Sequence, residues 1–136
     1  MKTAMSDLGL THIALTVRSL AASVAFYDTY AGMQVVHSRP GVAWVSDRTR
    51  PFAIVLIETA AEIHPLRPMA HLGVAVRSEA EVDRLCALAR QNGCLVREPE
   101  QSGPPVGYWG LVSDPDGHTL ELAHGQELGL TVERAA

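Results

Sequence analysis

Two histidines and one glutamate stand out among the 136 residues for the chemistry they could do together. His12 opens the stretch His12-Ile13-Ala14-Leu15-Thr16-Val17-Arg18-Ser19, and His71 opens its near-copy His71-Leu72-Gly73-Val74-Ala75-Val76-Arg77-Ser78. Both stretches alternate as strands do. On that alternation His12 shares a face with Ala14 and Thr16, and His71 shares one with Gly73 and Ala75. Glu121 shares its face with Thr119 and Ala123, while Leu120 and Leu122 point the other way. Small neighbours leave a concavity; the opposite faces carry the large aliphatic side chains that pack under helices. Two imidazoles and a carboxylate on such faces make the donor set for a divalent ion, with positions left open to water or substrate. Taken singly, each has a simpler reading, the histidines as half-buried polar residues and Glu121 as a charge on a solvent face. The recurrence of His in one slot of a repeat favours the shared site.

The repeat also defines the unit of the fold. A strand is expected over 8–17, then a helix capped by Ser19, with Leu20, Val24 and Tyr27 at helical spacing and a left-handed stop at Gly32. Strands follow at 33–38, 41–46 and 52–58, the first two separated by Pro40-Gly41. The second copy has a capping box, Ser78-Glu79-Ala80-Glu81, and a buried helical stripe of Val82, Leu85 and Ala89. Its strands are expected near 94–98, 107–112 and 117–123, with Asp114-Pro115-Asp116-Gly117 as the turn between the last two. The expectation is an α+β chain, βαβββ twice, forming a single domain over 1–136. Module one runs over about 8–58, a linker with Pro65 and Pro68 over 59–69, and module two over about 70–124; the tail 125–136 carries no signal.

Bulk properties narrow the partners. A formal charge of −4 argues against nucleic acid, and the lack of a Lys/Arg cluster argues against an anionic membrane surface. The N-terminal segment has no long apolar core, and no stretch is long enough to span a bilayer. Cys86 and Cys94 read as free buried thiols, which suits a reducing cytoplasm.

The paired His-led strands, together with Asp114-Pro115-Asp116-Gly117-His118-Thr119-Leu120-Glu121-Leu122, resemble the vicinal oxygen chelate superfamily from Leu8 to about His124. That superfamily includes glyoxalases, bleomycin and fosfomycin resistance proteins, methylmalonyl-CoA epimerases and extradiol dioxygenases. The resemblance implies paired βαβββ modules in a cupped, barrel-like mixed sheet, the glyoxalase/bleomycin resistance/dihydroxybiphenyl dioxygenase fold. It implies one divalent metal (Fe, Mn, Ni, Co or Zn) on His12, His71 and Glu121, with Glu121 doubling as the catalytic proton acceptor. A small-molecule substrate with vicinal oxygens and a homodimer are implied as well. The implied reaction is of the lyase or isomerase type. A small Fe(II) extradiol dioxygenase and a drug-sequestering protein of the bleomycin-resistance type are the alternatives.

Departures from the family pattern fall at particular residues. Glyoxalase I has a fourth ligand in a slot that Val55 occupies here; Glu58 lies three residues on, an odd offset that turns it to the other face and to solvent. Fosfomycin thiol transferases have Thr where this chain has Ala14, and Tyr where it has Leu111; extradiol dioxygenases also have Tyr there. Trp44, Val55, Trp109 and Leu111 are read as substrate-pocket residues, with core or rim packing an equal reading for the two tryptophans. His118 belongs to the turn, His124 to the opposite face, His64 to the linker, and Tyr108 has the wrong parity. Arg18 and Arg77 read as a duplicated structural pair near the helix starts.

Overall fold

Strands that alternate large aliphatic with small residues can bury one face and leave the other open. The computed structural model, which describes residues 6–135, builds each half of the chain on that pattern. The first five residues of the N-terminal segment and the last residue of the tail lie outside the described residues. The elements are β1 (His12–Val17), α1 (Leu20–Ala31), β2 (Gln34–Arg39), β3 (Val42–Ser46) and β4 (Ala53–Glu58), then β5 (Leu72–Ala75), α2 (Glu79–Gln91), β6 (Leu95–Gln101), β7 (Tyr108–Ser113), β8 (Thr119–His124) and α3 (Leu128–Arg134).

Two compact units divide between Ile63 and His64. Each holds a four-stranded mixed sheet of the same topology, ordered β1-β4-β3-β2 in the first and β5-β8-β7-β6 in the second. In each, the His-led strand runs parallel to the last strand, and the remaining pairs are antiparallel. The linker is shared by hydrogen bonding. The Arg18 guanidinium donates to the carbonyls of Thr59 (2.7 Å) and Ala61 (2.9 Å), tying that end to unit one. Thr119 N–H donates to the Leu66 carbonyl at 2.7 Å, tying the other end to β8. Arg18 therefore serves the exit of β4 and not the helix start expected for it; Arg77, its counterpart in the repeat, is exposed.

In unit one, Leu15 and Val17 of β1, Ile54 and Leu56 of β4, and Ala43 and Val45 of β3 are buried. The helix above them buries Ser23, Phe26, Tyr27 and Tyr30. This set shares only Tyr27 with the expected Leu20-Val24-Tyr27 stripe. The aromatic rings decide the helix rotation: Phe26 packs edge-on to Tyr27 with centroids 5.0 Å apart and against Tyr30 at 4.8 Å. Ser19 caps the helix by accepting from Ala22 N–H, and Gly32 ends it at φ 63°, as the sequence predicts. In unit two, Ser78 accepts from Glu81 N–H at 3.1 Å, and α2 buries Val82, Leu85, Cys86 and Ala89. Each fully buried Leu or Val of these cores contributes about 1.5–3 kcal/mol.

Two expectations are corrected. The first strand starts at His12 and not at residue 8, because its partner β4 starts only at Ala53, whose N–H donates to the Thr11 carbonyl. Leu8 and Leu10 continue the alternation with no strand beside them and are 100% and 87% exposed. The tail carries a seven-residue helix, α3, which has no side-chain cap and buries none of its residues.

Candidate functional site

In unit two, the cross-strand register places Gly73 beside Glu121, and Glu121 beside Leu111. Leu111 in turn lies beside Arg97. This row lies on the face away from α2. Glu121 is only 8% exposed, at the centre of a strand buried on both faces. Its carboxylate rests over Gly73, where an added Cβ would stand 3.4 Å from Glu121 Oε2. Gln126 Nε2 donates to Oε2 at 3.1 Å, and Oε1 faces His71 Nε2 at 3.8 Å.

The histidine is oriented by its own backbone. His71 Nδ1 lies 2.9 Å from the Met69 carbonyl, which can only accept, so Nδ1 carries the proton. In the neutral ring Nε2 then presents a lone pair to the carboxylate. Two electron-rich atoms converge, and a buried carboxylate with about four acceptor positions has one hydrogen-bond donor among the described residues. Buried charge in that condition calls for a cation. Ligand bonds of about 2.0–2.2 Å to a divalent ion can bridge a gap of this size. A histidine that donates through one ring nitrogen to a carbonyl while the other is left to coordinate has the orientation that metal ligands commonly show. The residues present therefore fit a divalent metal. Among the described residues, no group of three or more His, Cys, Asp or Glu side chains forms a cluster.

Unit one repeats the arrangement with different side chains. Ala14 lies beside Val55, Val55 beside Trp44, and Trp44 beside His37. His12 leads this face, its Nδ1 2.9 Å from Thr11 Oγ1. Val55 thus takes in unit one the slot that Glu121 takes in unit two, so a carboxylate stands in only one copy. The sequence reading missed His37, whose ring meets Trp44 edge-on with centroids 4.8 Å apart. A bulge between Val35 and His37 shifts the parity of β2, which no local pattern announces. Trp109 shares the face of Leu111 and Glu121; its Nε1 donates to Ser102 Oγ at 2.8 Å, and the Arg97 guanidinium sits 4.8 Å from its ring centroid.

The remaining candidates have structural tasks. Glu58 is turned to the helix side, as the odd offset predicts. It does more there than meet solvent, because its Oε2 accepts from Leu20 N–H at 2.9 Å and caps α1. His118 is buried in the turn, where its Nδ1 accepts from Leu66 N–H, while Asp114 Oδ1 accepts from the backbone of Asp116 and His118. His124 Nδ1 meets the Val76 carbonyl at 2.8 Å, away from Glu121. Tyr108 donates its hydroxyl to Asp83 on α2, which pushes its pKa up to about 12. His64 is exposed. Cys86 is buried, Cys94 only partly so, and neither forms a disulfide.

Comparison with known proteins bears on the family and the fold. The chain is 38% identical over 127 residues to an uncharacterised protein of Pseudomonas aeruginosa, covering 88% of this chain and 91% of that one. It is 35% identical over 86 residues to the trivalent organoarsenical cleaving enzyme of Thermomonospora curvata, covering 63% of this chain and 56% of that enzyme. Its fold matches a variant of the Listeria monocytogenes genomically encoded fosfomycin resistance protein, solved with manganese(II) and dihydroxypropylphosphonic acid. That match has a TM-score of 0.72 at 20% identity over 94% of this chain and 98% of the other. No helix among the described residues is long and apolar enough to cross a membrane. Residues 9–122 match the family model described as Glyoxalase/Bleomycin resistance protein/Dioxygenase superfamily, and the chain belongs to that family.

Proposed function

We propose that this chain is a metal-dependent, glyoxalase-like enzyme that binds a small substrate through adjacent oxygens. His71 and Glu121 would hold a divalent ion together with His12, supplied by the same chain or by a second copy in a homodimer. The convergence of His71 Nε2 and Glu121 Oε1 at 3.8 Å, with His71 Nδ1–H committed to Met69, carries the proposal. A bound ion would supply Lewis-acid stabilisation of negative charge developing on the substrate oxygens. The protein's own contribution would be to fix the imidazole tautomer through Met69 and to keep one carboxylate oxygen of Glu121 directed at the site. Glu121 would also accept a proton there. Val55, Leu111, Trp44 and Trp109 would form apolar walls that exclude water. Manganese(II) on the same fold in the Listeria protein, and the catalytic relative from Thermomonospora, support an enzyme over a simple binder.

Metal content by plasma mass spectrometry on tag-free protein, with His71→Ala alongside, tests the proposal. About one equivalent of transition metal, lost in the variant, is the expected outcome. Iron, with oxygen uptake on a catechol panel, would move the assignment to an extradiol dioxygenase. No metal even after reconstitution would overturn the enzyme reading in favour of ligand sequestration, for which the His37–Trp44 and Arg97–Trp109 pairs, with half-buried indoles, would offer stacking surfaces. Light scattering checks the homodimer.

A further inference from the structure

Gln126 lies beyond the last strand, in the segment for which the sequence offers no reading. Gly125, at φ 78°, turns the chain back after β8, and Glu127 N–H donates to the Pro105 carbonyl at 3.1 Å. Between those two anchors the Gln126 side chain reaches back five residues to Glu121 Oε2. The two oxygens of Glu121 are thereby made unequal. Oε2 is engaged by the Gln126 amide over the bare backbone of Gly73; Oε1 is left facing His71.

Resting on the metal reading above, we infer that Gln126 is a positioning residue that reserves Oε1 of Glu121 for the metal and holds the carboxylate ready for it. An amide donor satisfies one oxygen without neutralising the charge, so the carboxylate keeps its affinity for a cation while losing rotational freedom about its last torsion. Groups that orient ligands in this way typically change metal affinity by about 10–100-fold when removed. Gly73 lies beneath the same oxygen, where an added Cβ would stand in ordinary van der Waals contact with it.

The test uses Gln126→Met, which keeps the volume and removes the donor. Manganese(II) affinity is read from the electron paramagnetic resonance of free ion, stability from apo-protein melting, and coordination from the visible spectrum of the cobalt(II)-loaded protein. A manganese dissociation constant raised about 10–100-fold and an altered cobalt spectrum are expected, with apo melting lowered by the loss of a donor to a buried carboxylate. A dissociation constant within twofold of wild type would overturn the inference, as would a weakening with an unaltered cobalt spectrum. Wild-type protein that binds neither ion would overturn the metal reading itself, and this inference with it.

Discussion

At the scale of single residues, close approach sets the strictest limits. A Cβ on Gly110 would lie 2.7 Å from Cys86 Sγ and 3.2 Å from the Arg97 carbonyl, so β7 and α2 pack at a distance only glycine permits. Gly110→Ala should lower the urea-unfolding free energy by about 1–3 kcal/mol, and adding Cys86→Ala should restore part of it. The same burial pushes the Cys86 thiol from 9.0 up to about 11, with the charges of Glu98 and Asp83 adding to the rise. The thiol therefore favours the folded state below pH 9, and that contribution fades as pH rises to about 11. Wild-type protein should lose more stability across that interval than Cys86→Ala, as measured by urea denaturation. Iodoacetamide at pH 8 should label Cys86 only after unfolding. The sequence shows that Cys86 sits on a helix, but not that Gly110 of β7 faces it, which only packing defines.

At the scale of elements, strand parity sorted the candidate residues well, because a period of two is a local property. It separated Val55 from Glu58 correctly and put His124 and Tyr108 on the faces they occupy. It could not say what Glu58 does after turning away, since the N-terminus of α1 lies 38 residues back in the chain. The Glu58 carboxylate there satisfies a free N–H and meets the positive end of the helix dipole. Glu58→Ala should cost about 1 kcal/mol in chemical denaturation while leaving manganese affinity unchanged; weakened metal binding would instead make Glu58 a ligand. Within the same helix the Ser23 hydroxyl is fully buried with no hydrogen-bond partner. Ser23→Ala removes that buried polar group and improves helix propensity, so the melting temperature should rise, by about 1 kcal/mol in stability.

At the scale of the whole molecule, duplication makes two equivalent slots, of which one holds a carboxylate and the other does not. Both units have the same strand order and the same register, so Val55 and Glu121 answer to each other through the hydrogen-bonded ladder. On the proposed reading, the filled carboxylate slot and the two leading histidines would supply three ligands and leave positions for substrate oxygens. Binding that favours the native state must then raise thermal stability. At a free manganese concentration 100 times the dissociation constant, unfolding should become about 2.7 kcal/mol less favourable, with the shift abolished by chelator and by His71→Ala. Differential scanning calorimetry at fixed protein concentration measures it.

The sequence by itself determined the repeat, the two capped helices and the faces of the regular strands, and it nominated His12, His71 and Glu121 as candidate ligands. Each of those is encoded within a few residues, by alternation, by capping chemistry or by turn residues. The tertiary structure alone decided the convergence of His71 Nε2 on Glu121, the return of Gln126 to the same carboxylate, the bulge that brings His37 to Trp44, and the cap that Glu58 provides. These depend on which backbone segments pair and how closely they pack, and hydrogen bonds between distant segments leave no periodic trace in the chain.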